Sequence, residues 1–268
     1  MQQFSVLMSV YKKDRPDFLC QALDSVFSQT LPPNEVILVE DGPLTDELYD
    51  AIAKYPQLKT VKLAKNGGLG KALNEGLKHC SFDIVVRMDS DDISKPNRFE
   101  KQVSYLEQHK EIDVVSAWLE EFIDDISNIV TIKKLPEYDE EIKTLARKRS
   151  PINHAVSAFR KSSVEKAGGY IHFPLFEDYY LWARMINNGC KFYNIQESLY
   201  LCRISADMFK RRGGWKYGFD EIRLQNKFLA MGFVNFPTYI FNVVIRFSVR
   251  IMPNALREKI YIKFLRKE

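Results

Sequence analysis

Apolar runs of strand length alternate with amphipathic stretches of helix length along the first half of the chain. Phe4–Val10 (FSVLMSV) is a β-prone apolar run, and Pro16 opens a helical pattern with Leu19, Ala22, Leu23, Val26 and Phe27 turned inward. A second strand begins at Glu35 (EVILVE) and ends in the turn signal Asp41-Gly42-Pro43. A helix is expected over residues 44–54 and a strand over 60–63. Asn66-Gly67-Gly68-Leu69-Gly70 then leads into a helix with Ala72, Leu73 and Leu77 on one face. The fourth strand, 83–88, runs directly into Asp89-Ser90-Asp91-Asp92; a helix over 96–109 and a strand over 113–118 follow. Strands alternating with helices in this way predict an α/β fold, a mostly parallel sheet covered on both faces. Ligands of such sheets bind beyond the carboxyl ends of the strands, where Asp41, Asp89, Asp91 and Asp92 all fall.

The second half is less regular. Strands are expected over 129–133 and 155–159, and helices over 139–147 and 177–187. Residues 1–205 read as one catalytic domain and 206–268 as a helical extension. Charge separates the two. From Ser205 onward there are thirteen basic and five acidic residues, in a chain whose overall excess is only +4, so the body is acidic. In the extension, residues 239–252 are mostly apolar, with Asn242, Arg246 and Arg250 forming a narrow polar stripe. That pattern predicts an interfacial anchor lying in the headgroup plane of a membrane, the competing reading being a helix docked on the body or in a dimer.

Composition excludes several classes. With 46% hydrophobic, 13% aromatic and 28% charged residues, the 268-residue chain is neither disordered nor a disulfide scaffold. Cys20, Cys80, Cys190 and Cys202 are scattered, so reduced thiols in a cytoplasmic setting are expected. Neither a signal peptide nor a spanning helix is expected. Nucleic acid is not expected as a partner, because the basic residues interleave with aliphatics.

Three carboxylates within four positions, Asp89, Asp91 and Asp92, repel one another unless neutralised; hard oxygens at this spacing suit Mg²⁺ or Mn²⁺, and a solvated helix-capping turn is the bland alternative. Asp41 could accept from a nucleobase N–H or simply form a turn. The glycines after Asn66 could offer backbone amides to phosphate or merely turn the chain. Glu177-Asp178 opens a helix, where acidic residues favour the dipole; the functional reading is a general base. His154 and Arg203 read equally well as core or surface residues.

Taken in order, Ser5–Tyr11, Glu40-Asp41-Gly42, Asn66-Gly67-Gly68-Leu69-Gly70-Lys71-Ala72-Leu73-Asn74, Asp89-Ser90-Asp91-Asp92 and Phe176-Glu177-Asp178 resemble glycosyltransferase family 2, with its GT-A fold, over residues 4–205. Within it, the resemblance is closest to bacterial exopolysaccharide and O-antigen transferases of the amylovoran-biosynthesis type. It implies an inverting hexosyltransferase that uses a UDP-sugar, with UDP-galactose favoured, and Mn²⁺ or Mg²⁺. The acceptor would be a polyprenyl-diphosphate-linked saccharide at the inner face of the cell membrane, and oligomerisation is left open. By carry-over, Asp41 would hold the uracil, Tyr11 would line the base pocket, Arg87 would sit near the uracil and Asp89 near the ribose. Asp91 would bind the metal, Asp178 would be the general base, Glu177 would contact the acceptor and Arg203 would reach the diphosphate. The chain departs from many relatives at Ser9-Val10-Tyr11-Lys12 and at Glu40. The competing readings are a sugar-nucleotide nucleotidyltransferase and a non-catalytic sugar-nucleotide-binding protein.

Overall fold

A computed structural model describes residues 3–173, 175–204 and 214–252. The basic residues at 210–212 and 257–267, which the anchor reading also used, lie outside the described residues.

Strands β1 (Phe4–Val10), β2 (Glu35–Glu40), β3 (Lys59–Lys62) and β4 (Ile84–Met88) form a parallel half-sheet in the order β3-β2-β1-β4. Helices α1 (Pro16–Phe27), α2 (Asp46–Ala53), α3 (Leu69–His79) and α4 (Arg98–Gln108) connect and cover it. Burial explains the near-continuous apolar strands. Leu7, Ile37 and Val39 face one core while Val6, Met8, Val36 and Leu38 face the other, so neither side of β1 and β2 is left for water, and only the edge strand β3 is largely exposed.

Beyond β4 the sheet becomes mixed. Strand β8 (Ala158–Arg160) pairs antiparallel with β4 and with β6 (Val114–Phe122). The long β9 (Phe192–Arg203) runs parallel to β6, and the two-residue β5 (Ile93–Ser94) lies antiparallel on β9. A hairpin strand, β7 (Ile129–Lys133), pairs with β6. Helices α5 (Asp139–Ala146), α6 (Lys161–Lys166) and α7 (Glu177–Asn187) complete this part. The strand expected over 155–159 starts later, because His154–Val156 is a turn of 3₁₀-helix ahead of β8.

The extension contains α8 (Trp215–Ala230) and α9 (Phe236–Ile251). Tyr217, Leu224, Phe228, Phe233 and Val234 belong to the same buried cluster as Tyr179 and Trp182 of α7. The polar stripe of α9 turns inward. Asn242 donates to the Arg147 carbonyl at 2.8 Å and to Gln225 at 3.0 Å, while Arg246 and Arg250 both bond Glu221. This corrects the expectation that Arg246 and Arg250 face lipid headgroups: Glu221 is fully buried, and an unpaired buried carboxylate costs far more than turning two arginines toward it.

Candidate active site

Register brings the first residues together. Val10 pairs with Glu40 and Met8 with Met88, so Tyr11, Asp41 and Asp89 all leave the sheet at one edge. Tyr11 is partly exposed there, with its N–H donating to Asp14 at 3.1 Å.

Asp41 is buried and its carboxylate is heavily used. Oδ1 accepts from the Gly67 N–H at 2.6 Å; Oδ2 accepts from the Gly68 N–H at 3.0 Å and from Asn66 Nδ2 at 2.8 Å. The glycine amides therefore point at Asp41 and not outward as a phosphate cradle. Gly42 makes this approach feasible: its φ is +86°, and a Cβ there would stand 2.5 Å from the Asn66 nitrogen.

The acidic stretch follows β4. Arg87 is buried and ion-paired to Asp89, whose side chain is about one-third exposed. Burial opposes the Arg87 charge, but the Asp89 partnership more than offsets it and pushes the guanidinium above its ordinary range. Asp91 presents its side chain to solvent, but the protein packed around the loop still perturbs it. Burial raises its carboxyl to about 6, the charges of Asp89 and Asp14 add to this, and Arg87 opposes it. Asp92 is fully buried and pushed well up by burial and by Asp91; it accepts the Arg203 N–H at 2.7 Å.

Sequence reasoning missed Asp14, which follows β1 and accepts from Ser90 Oγ at 2.8 Å. It missed Arg98 too, whose buried guanidinium donates to the Arg87 carbonyl at 2.6 Å and props the end of β4. The only available signal for either was position, close behind a strand end or early in a helix.

Arg203 ends β9, where the resemblance put a diphosphate contact. Its guanidinium instead donates to the Asp91 carbonyl at 3.0 Å, the Asp124 carbonyl at 3.4 Å and Gln21 at 2.6 Å, and it stacks over Phe18. In this arrangement it braces the acidic loop.

The Glu177-Asp178 pair opens α7, next to Leu175 at φ +72°, a backbone conformation uncommon outside glycine. Glu177 lies against α3: a Cβ on Gly70 would come 3.1 Å from Glu177 Cγ and 3.4 Å from Tyr170 Cβ. Burial and the neighbouring Asp178 raise the Glu177 carboxyl.

Tyr170 connects the two acidic sides. Asn74 of α3 brackets its backbone, accepting from the Tyr170 N–H at 2.7 Å and donating to its carbonyl at 2.6 Å. Its hydroxyl meets His154 Nε2 at 2.9 Å. The buried phenol is raised first by desolvation; the charges of Asp178 and Asp89 raise it further, while Arg87 opposes them. Both carboxylates therefore act on one buried ring. His154 is half-buried and packed on Tyr170 and Trp182; burial drives its imidazole well down and Arg87 adds to the shift.

Asp91, Asp14 and the Arg87-paired Asp89 offer hard oxygens at a strand end, and hard oxygens are the donor chemistry a Mg²⁺ or Mn²⁺ ion with open positions needs. Among the described residues no three acidic, histidine or cysteine side chains are drawn together as a complete cage. Asp91 fits as one donor to an ion that would take its remaining ligands from substrate and water.

The sheet order and the family match together define the class, a glycosyltransferase of GT-A fold. Residues 5–168 match glycosyl transferase family 2, and the chain belongs to that family. It is 41% identical over 268 residues to the Escherichia coli UDP-Gal:alpha-D-GlcNAc-diphosphoundecaprenol beta-1,3-galactosyltransferase, covering 99% of this chain and 97% of the relative. It is 40% identical to the amylovoran biosynthesis glycosyltransferase AmsE of Erwinia amylovora, covering 97% and 98%. Among solved structures, S. aureus TarS 1–349 in complex with UDP-GlcNAc superposes with a TM-score of 0.67 at 18% identity, over 93% of this chain and 72% of that one. The mannosyltransferase PcManGT of Pyrobaculum calidifontis, in complex with GDP-Man and Mn²⁺, gives 0.58 at 17% identity, over 96% and 78%. The protein is a glycosyltransferase, which sets aside the nucleotidyltransferase and non-catalytic readings.

Proposed function

We propose that the protein transfers galactose from UDP-galactose to a polyprenyl-diphosphate-linked N-acetylhexosamine, with inversion to a β-linkage, in the synthesis of a bacterial surface polysaccharide. The observation that carries the mechanism is the Tyr170 hub, on which the charges of Asp89 and Asp178 both act. Carboxylates from two distant stretches thus lie near one buried ring, and in this reading they flank the sugar. The 41% identity over nearly the full length of both chains supports the choice of donor and acceptor.

In this reading Asp178 takes the proton of the acceptor hydroxyl as the hydroxyl oxygen forms its bond to the anomeric carbon. The bond from that carbon to the diphosphate oxygen breaks, and its electron pair leaves with UDP. Attack from the rear turns an α-linked donor into a β-linked product. A positioned general base of this kind contributes about 10²–10⁴-fold. Glu177 orients the acceptor. Asp91, with Asp89 nearby, would hold Mn²⁺ or Mg²⁺, which would supply stabilisation of the leaving diphosphate's charge. Tyr11 and Asp41 flank the base, Asp41 with what acceptor capacity the Asn66–Gly68 loop leaves it. Arg87 keeps Asp89 ionised toward the ribose, and Arg203 keeps the acidic loop closed beneath the diphosphate. The extension brings the enzyme to the inner face of the membrane, where its lipid-linked acceptor lies.

Two variants divide these roles. Asp178→Asn should retain UDP-galactose affinity in calorimetry while transfer falls about 10²–10⁴-fold. Asp91→Ala should lose the Mn²⁺-dependent part of UDP affinity. Unchanged metal-dependent binding in Asp91→Ala, or undiminished transfer by Asp178→Asn, refutes the respective assignment.

A further inference from the structure

The two helices of the extension carry their apolar residues on the outside. On α9, Phe236, Ile240, Phe241, Val244, Ile245 and Ile251 are all exposed, at 40–63% of their surface. At 3.6 residues per turn they share one half of the helix circumference. The opposite half holds Asn242, Arg246 and Arg250, which are turned onto Gln225, Glu221 and the carbonyls of Arg147 and Lys148. Arg246 and Arg250 are the only charged residues of α9, and both face the body. An exposed helix normally shows the reverse arrangement.

The apolar face continues onto α8. Phe247 lies between Trp215 and Phe219, with ring centroids 5.8 Å from each, and those two rings are 63% and 52% exposed. Gly218 permits this approach, since a Cβ there would stand 2.9 Å from the Phe247 ring. Contiguous exposed apolar surface of this kind marks a binding face.

We infer that this α8–α9 face is the surface the protein inserts into a lipid leaflet, with the arginine stripe serving as an internal latch and not as a headgroup contact. The inference rests on the lipid-linked acceptor proposed above, and it names the face and its orientation. Charge selects the occupant. Lys216 and Lys227 of α8 are exposed, while Arg223 shares its charge with Asp220 at 2.9 Å. Cations beside an apolar face match anionic headgroups. In a symmetric contact between two copies, the same cations would be set against one another. Glu221 fixes the orientation, because its buried carboxylate holds Arg246 and Arg250 and so commits the other side of α9 to the outside.

The test uses the full chain with vesicles of phosphatidylglycerol and phosphatidylethanolamine, and with vesicles of phosphatidylcholine alone. The wild type should sediment with the anionic vesicles. The Trp215 emission should shift to the blue and be quenched by brominated acyl chains, a signal absent from Trp215→Phe. Ile240→Glu with Val244→Glu should lower vesicle partitioning at least tenfold while keeping the circular dichroism of the wild type. The same double variant should keep its transfer rate on a water-soluble, short-chain diphosphate-linked N-acetylglucosamine. A double variant that binds vesicles as well as the wild type overturns the inference. So does a wild type that ignores vesicles, or a lipid-free dimer that the two glutamates dissociate without any vesicle binding in the wild type. Transfer to the soluble acceptor reports separately on the proposed reaction, so failure of one idea is distinguishable from failure of the other.

Discussion

At the scale of single residues, hydrogen-bond capacity decides what a side chain remains free to do. Glu35, at the start of β2, shows the strongest case away from the site. Burial alone would raise its carboxyl, but Lys59 and Ser5 at 2.6 Å each, with Ser81 donating through both its N–H and its hydroxyl, outweigh burial and hold it at about 2. Its folded pKa lies below the unfolded value of 4.5, so the unfolded chain takes up the proton first. The stabilisation is complete above about pH 4.5 and fades as pH falls toward 2. Glu35→Gln should therefore cost about 1–3 kcal/mol near neutrality. It should also flatten the acid limb of a melting-temperature profile between those two values; an unchanged limb would show that the Glu35 carboxylate does not carry this linkage. The same capacity argument explains why roles at the site were only partly legible in the sequence. Asp41 and Arg203 were visible as candidates by position, but the partners that occupy them, Gly67, Gly68, Gln21 and the Asp91 carbonyl, come from stretches far apart in the chain. Asp14 and Arg98 carried only a positional signal, because their importance arises from the neighbours the fold gives them.

At the scale of elements, the parallel half was readable because β1, β2 and β4 are buried on both faces and each helix has one apolar side. Strand β9 was not, since its twelve residues mix buried, half-buried and exposed positions along an irregular pairing with β6. The link between α3 and α7 was equally silent, although it places Glu177. Gly70 in the first turn of α3 packs directly on the Glu177 side chain. Replacing a helical glycine by alanine ordinarily stabilises by about 0.5–1 kcal/mol. Here the added Cβ, 3.1 Å from Glu177 Cγ, would instead push that side chain by a few tenths of an ångström. Gly70→Ala should accordingly leave the melting temperature level or slightly raised while kcat/KM for the acceptor falls several-fold. A variant that loses stability and donor affinity in parallel, with acceptor kinetics intact, would show that Gly70 serves the helix and not the placement of Glu177.

At the scale of the molecule, the charge difference between body and extension suggested two parts, and the packing joins them. The ring of Phe228 in α8 meets Tyr179 edge-on at 4.9 Å, Tyr217 meets Phe176 at 5.1 Å, and Arg246 of α9 sits over Tyr179 at 5.6 Å. Phe176 and Tyr179 flank Glu177 and Asp178 in sequence, so the helix carrying the proposed base is buttressed from behind by the extension. Among the described residues no helix is long and apolar enough to cross a membrane, so the apolar half of α9 contributes surface and not a span. Removing residues 206–268 would uncover Tyr179 and delete Leu224, Phe228, Phe233 and Val234 from the core. Deletion of a buried Leu or Phe side chain alone costs about 2–5 kcal/mol, against a total stability of about 5–15 kcal/mol for ordinary domains. The truncated chain should therefore lose its near-ultraviolet circular dichroism and its transfer to soluble as well as lipid acceptors. The exposed-face double variant should lose only the interaction with vesicles. A truncation at 205 that melts cooperatively near the wild-type temperature would mean that the aromatic contacts across α7 and α8 contribute little, and the extension would then be an anchor that the catalytic body does not need for its own folding.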